Sequence, residues 1–61
     1  MPYVNVKVAG KLTKEQKEKI VEGITKLLEE VANKSPQSTY VVIDEIDREN
    51  WGKAGKLLSD L

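Results

Sequence analysis

The 61-residue sequence contains no cysteine and no histidine. That excludes disulfide staples, the usual zinc ligand sets, a thiol nucleophile and an imidazole acid–base group. No metal site and no cofactor is therefore expected. Phenylalanine is also absent, with only one Trp and two Tyr present, so little aromatic mass is available to fill a core. Arginine occurs once, at Arg48. Ten basic and ten acidic residues cancel, which leaves no basic face of the kind that nucleic-acid binding requires. No apolar run approaches the ~20 residues of a membrane span and no hydrophobic leader follows Met1, so the expected compartment is the cytoplasm, with no membrane partner. A chain this short, read as one domain over residues 1–61, buries only about 60% of its unfolded surface. Small scaffolds without staples commonly complete their core by association, so a homo-oligomer is expected.

What is present is a strand, a helix and a second strand. In Met1-Pro2-Tyr3-Val4-Asn5-Val6-Lys7-Val8-Ala9, valines alternate with Tyr3, Asn5 and Lys7. That period of two, rich in β-branched residues, reads as a strand that Pro2 is allowed to begin. After Gly10-Lys11-Leu12, the spacing Thr13-x-x-Gln16 predicts a capping box. Ile20, Val21, Ile24, Leu27, Leu28 and Val31 then form one apolar helical stripe. Glu15–Lys19, Glu22–Lys26 and Glu30–Lys34 have the spacing of supporting ion pairs. The helix is expected to end near Asn33, because Ser35 precedes Pro36 and is pushed from the α region. Thr39–Ile46 is apolar at its centre and reads as a strand covered on both faces. A right-handed crossover makes the two strands parallel. The fold class is therefore α+β: a single βαβ unit followed by a tail, Asp47–Lys56, whose turn formers predict a hairpin or arm. One helix covers one face of a strand pair, and Leu57, Leu58 and Leu61 have little room on it. Another copy of the chain is the expected cover.

The residues offer few routes to chemistry. Gly52-x-x-Gly55 is too little for a phosphate loop. Asp44-Glu45-x-Asp47 has the composition of a Mg²⁺ site or a carboxylate dyad, but strand-ending acids paired with lysines are the expected outcome. Trp51 suits either interface packing or the lining of a pocket. If Met1 is removed, Pro2 becomes a free secondary amine on a rigid element, which is a placed general base in a chain without histidine.

Taken together, these segments resemble the 4-oxalocrotonate (2-hydroxymuconate) tautomerase family, over nearly the whole chain. Pro2-Tyr3-Val4-Asn5-Val6-Lys7-Val8 is similar to the family's opening strand, and Thr13-Lys14-Glu15-Gln16-Lys17 to its helix start. Val41-Val42-Ile43-Asp44-Glu45 is similar to the second strand with its closing acid, and Asn50-Trp51-Gly52 with Ala54-Gly55 to the C-terminal hairpin. The resemblance implies a homohexamer and an isomerase, a keto–enol tautomerase that ketonises a dienol acid such as 2-hydroxymuconate. Pro2 matches the catalytic base, and Trp51 matches an aromatic that keeps the pocket apolar. Two substrate-holding arginines of the family have no direct counterpart. Lys11 stands near the first, with Leu12 inserted before the cap, and Tyr40 stands at the second. Lysine supplies charge without the bidentate fork, and tyrosine supplies a hydrogen bond without charge. Arg48 is the one arginine available as a substitute. The implied partner is a small enol or keto acid. These departures keep a second class open: a non-catalytic oligomeric binding module on the same scaffold.

Overall fold

Two β-branched segments pair in parallel, and the helix that joins them is laid against one side of them. In the computed structural model, which describes residues 1–61, β1 is Tyr3–Ala9 and β2 is Tyr40–Ile46. They pair without offset from Tyr3↔Tyr40 to Ala9↔Ile46. One further backbone bond continues the ladder at each end. Tyr40 N–H donates to the Pro2 carbonyl at 2.9 Å, and Gly10 N–H donates to the Ile46 carbonyl at 2.8 Å.

The crossover is α1, Lys14–Ala32. The predicted capping box is formed: Gln16 N–H donates to Thr13 Oγ1, and Thr13 N–H donates to Gln16 Oε1. At the other end Asn33 adopts φ 56°, ψ 38°. From that left-handed position its N–H reaches Glu29 O, and Lys34 N–H reaches Leu28 O. The expected helix end is thus correct, and its agent is Asn33 as well as Pro36. Pro36–Ser38 forms one 3₁₀ turn leading into β2. The charged face departs from expectation. Glu15–Lys19 is formed, whereas Lys26 turns to Glu30 instead of Glu22, and Lys34 lies beyond the helix end. Lys14–Glu18 is an additional pair.

After β2, a 3₁₀ turn at Arg48–Asn50 leads into a small hairpin of β3, Gly52–Lys53, and β4, Lys56–Leu57. Its two connecting residues, Ala54 and Gly55, both have positive φ, 54° and 80°. That is the signature of a type I′ turn, whose twist matches antiparallel strands. Leu58 N–H closes the tail onto Trp51 O at 2.8 Å. The architecture is βαβ plus a C-terminal hairpin, as read from the sequence. No helix is long and apolar enough to cross a membrane.

Alternation sorts the strand side chains into two sets. Val4, Val6 and Val8 face the helix side with Val41, Ile43 and Glu45. Tyr3, Asn5, Lys7 and Ala9 share the other face with Tyr40, Val42, Asp44 and Ile46. That second face is open, and Tyr3, Tyr40 and Val42 on it are 63%, 55% and 40% exposed. The helical stripe is also wider than the sheet beneath it. Ile20, Val21, Ile24 and Leu28 are half-buried, whereas Leu27 and Val31 remain exposed. No residue of the chain is fully buried. The expectation of a second strand covered on both faces is therefore not met within one chain, because there is only one helix to cover it.

The size measures agree. The radius of gyration is 14.5 Å, against roughly 10.5 Å for a compact chain of this length. The accessible surface is 4835 Å², against about 4000 Å² for a compact protein of this mass. Such a chain lacks the buried apolar area needed to offset its conformational entropy. It is expected to self-associate. Light scattering and circular dichroism on dilution should show dissociation coinciding with loss of secondary structure, and a stably folded species of 6.8 kDa would contradict this.

Candidate active site

The register places the four candidate site residues at two ends of the sheet. Pro2 precedes β1, half-buried, with its carbonyl held by Tyr40 N–H. The proline ring is thus fixed as the first step of the ladder. Tyr3 and Tyr40 stand opposite one another beside it. Met1, which caps the Pro2 nitrogen as an amide, is 85% exposed. Pro2 and Tyr40 are therefore brought together by the fold.

Lys11 and Trp51 lie at the other end. Six residue steps separate Tyr40 from Ile46, which is ~20 Å of strand. Lys11 follows the last residues of β1, and Trp51 follows β2 by way of the 3₁₀ turn. Trp51 is half-buried and lines a recess of about 270 Å³ with Lys7, Ile46, Asn50 and Gly52. Sequence reasoning did not single out Lys7, Ile46 or Asn50. The signal was available in the alternation, since Lys7 and Ile46 fall on the same open face once the strands are set in register. Arg48 is exposed at this same end and makes no ion pair. A larger recess, about 460 Å³, runs along the first half of α1 past Lys14, Lys17, Glu18, Val21 and Glu22. It includes none of the candidate residues and only one apolar side chain.

The acidic end of β2 is fully engaged, and by lysines. Asp44 points to the open face and accepts from Lys7 Nζ and Asn5 Nδ2, both at 2.9 Å. Glu45 points to the helix side, where Oε1 accepts from Lys17 Nζ and Oε2 from Leu12 N–H, both at 2.8 Å. Adjacent strand residues face opposite ways, so these two carboxylates cannot share one ion or act as a dyad. The hydrogen bond from Lys7 holds the Asp44 carboxyl below its ordinary range, with Asn5 assisting. The hydrogen bond from Lys17 does the same for Glu45, followed by that from Leu12 N–H. Neither acid is poised as a base near neutral pH.

The arrangement can now be set beside known proteins. The family model described as "Tautomerase enzyme" matches residues 2–61, beginning on Pro2. The chain belongs to the tautomerase family. Its similarity to curated relatives spans their length. It is 39% identical over 61 residues to the 2-hydroxymuconate tautomerase of Bacillus subtilis (strain 168), covering 100% of this chain and 98% of that one. It is 38% identical over 61 residues to "Probable tautomerase K2" of Dickeya dadantii (strain 3937), covering 98% and 91%. Among solved structures, YwhB, a homologue of 4-oxalocrotonate tautomerase, superposes with a TM-score of 0.92 at 38% identity, with 98% of each chain covered. The fold is thus that of the 4-oxalocrotonate tautomerase homologues, and the tautomerase is an isomerase by class.

In this tautomerase, the paired acids contribute to the acid limb of stability. Both carboxyls titrate lower in the folded chain than unfolded, where ordinary values are about 3.9–4.3. The unfolded state therefore binds protons first on acidification. The stabilisation is present above the unfolded value and is lost as pH falls through the folded one. Thermal midpoints are expected to hold from pH 7 to about 5 and to fall below about 4. Glu45→Gln should flatten that decline. A midpoint insensitive to acid in the parent chain would contradict the pairing.

Proposed function

We propose that the protein ketonises a dienol acid such as 2-hydroxymuconate to its 2-oxo isomer, with the Pro2 amine as general base after Met1 is removed. The observation that carries this reading is the placement of Pro2. It stands half-buried at the first rung of the ladder, in a chain whose strand-end carboxylates are already occupied by lysines. The Bacillus subtilis relative supports the substrate class.

The chemistry follows from the amine. An α-amine has a reference pKa of about 7.7–8.0, the lowest of the protein amines, and apolar surroundings lower it further by disfavouring the ammonium form. A neutral Pro2 nitrogen takes the proton of the substrate's 2-hydroxyl group. The double bonds shift along the dienol, and the resulting ammonium returns the proton to carbon. No net proton is gained or lost. Trp51 keeps the pocket apolar, and Lys11 holds a carboxylate. Tyr40 donates a hydrogen bond to the substrate.

Because Pro2 and Lys11 occupy opposite ends of one chain, the working site draws them from different copies. The open sheet face, the exposed Leu27 and Val31 and the apolar tail supply the surfaces for this assembly. A homohexamer is the proposed form, in the cytoplasm. With Lys7 held by Asp44, Lys11 is the one cationic anchor assigned to the substrate, and it distinguishes poorly between one and two substrate carboxylates. A hydrogen bond to a charged group contributes about 1.5–3 kcal/mol, so a second missing anchor costs a dianion about tenfold to a hundredfold in kcat/KM.

Intact mass and steady-state assays test the base. Activity is expected to scale with the Met-free fraction, and full activity from a homogeneous Met1-bearing sample would exclude the amine. Met-free protein should turn over a monocarboxylic dienol at least as well as 2-hydroxymuconate. Trp51→Ala should move the ascending limb of the pH–rate profile to higher pH, because a wetter pocket raises the amine pKa. A strong dianion preference that survives Lys11→Ala would instead place the second carboxylate on Arg48.

A further inference from the structure

The loop between β1 and α1 is fastened on both sides of Lys11. Before it, Gly10 adopts φ 93° and donates its N–H to Ile46 O at 2.8 Å. After it, Leu12 donates its N–H to Glu45 Oε2 at 2.8 Å. Lys11 is the exposed apex between two ties to consecutive residues of β2. It makes no ion pair of its own, although its charge reaches Glu45. Glu45 already carries another cation. Its second oxygen is taken by Lys17 Nζ at 2.8 Å, in a pair whose side chains are only 36% and 22% exposed. The groups facing Glu45 are thus Lys17 from α1, Leu12 N–H and Lys11 from the loop, and Val8 across the register.

We propose that Glu45 is the positioning residue for Lys11, holding the Lys11–Leu12 peptide through its carboxylate, while Lys17 occupies that carboxylate and so leaves the Lys11 ammonium free for a substrate carboxylate. Glu45 touches no substrate in this scheme and acts only through the loop. Lys17 acts one step further back, as a decoy cation. A carboxylate has room for several donors. Without Lys17, the remaining cation whose charge reaches Glu45 is Lys11, which would be drawn from the pocket to the strand end. The inference rests on the assignment of Lys11 as the carboxylate anchor made above.

The test is a set of variants of the assembled, Met-free protein, assayed on a monocarboxylic dienol, with circular dichroism and light scattering confirming fold and assembly. Lys17→Met keeps the aliphatic stem and removes the decoy. It is expected to raise KM by about tenfold while leaving kcat within about twofold, because the lost contact is one to a charged group. Combining it with Glu45→Gln removes the trap but keeps an oxygen for Leu12 N–H. That double variant should return KM to within about twofold of the parent. Glu45→Ala should raise KM as Lys11→Ala does, and the two should not multiply. If Glu45→Ala fails to fold, the Lys17→Met and Glu45→Gln pair decides alone. A double variant worse than Lys17→Met would show an ordinary structural ion pair and overturn the proposal. A silent Lys17→Met beside a damaging Lys11→Ala would overturn it while leaving the anchor assignment intact. A silent Lys11→Ala would remove the anchor assignment and this proposal together.

Discussion

A parallel pair of strands has two faces, and this chain owns a single helix. That inequality governs the molecule. Parallel strands need a crossover, the crossover here is α1, and α1 lies on the side of Val4, Val6, Val8, Val41 and Ile43. The opposite face keeps Tyr3, Tyr40 and Val42 in solvent. Burying the side chains of the open face would contribute about 25 cal/mol for each Å² covered, and no element of the chain is left to do it. An elongated body of 42 × 23 × 15 Å with no buried residue is the direct result. It is the shape expected of a subunit in the proposed assembly, where other copies would complete the core.

The period of two has a second consequence at the end of β2. Adjacent acids in a strand sit on opposite faces, so Asp44 and Glu45 have separate neighbours. Asp44 joins Asn5 and Lys7 on the open side. Glu45 joins Lys17 and the loop on the helix side. What looks in one dimension like an acidic cluster is, in three, a pair of independent clamps. One steadies the sheet face that borders Trp51, and the other ties the loop and the helix to the strand.

Strand length imposes the remaining constraint. Seven paired residues set the two ends of the sheet ~20 Å apart, with Pro2 and Tyr40 at one and Lys11 and Trp51 at the other. Rigidity and separation come from the same ladder. The hydrogen bond from Tyr40 N–H that immobilises Pro2 also keeps it far from its own chain's lysine. Assembly and catalysis are coupled for that reason in the proposed mechanism: the surfaces that want covering also carry the missing parts of the site.

Local chemistry was legible from the residues alone. Alternating valines, the Thr13–Gln16 box, Pro36 and the Asn50–Gly55 turn formers act over a few positions, so they specified the strand, the helix start and end, and the hairpin. The family was legible too, because its marks lie in the order of those segments. Three things waited for the tertiary structure. The helix ion pairs did, since Lys26 has Glu22 and Glu30 at equal spacing and spacing cannot choose between them. The partners of Asp44 and Glu45 did, since they depend on the register with β1 and on where Lys17 emerges. The scattering of Pro2, Lys11, Tyr40 and Trp51 over two ends also did. Sequence proximity decides contacts within a turn or a strand, whereas contacts between elements are decided by register and by which face the single helix covers.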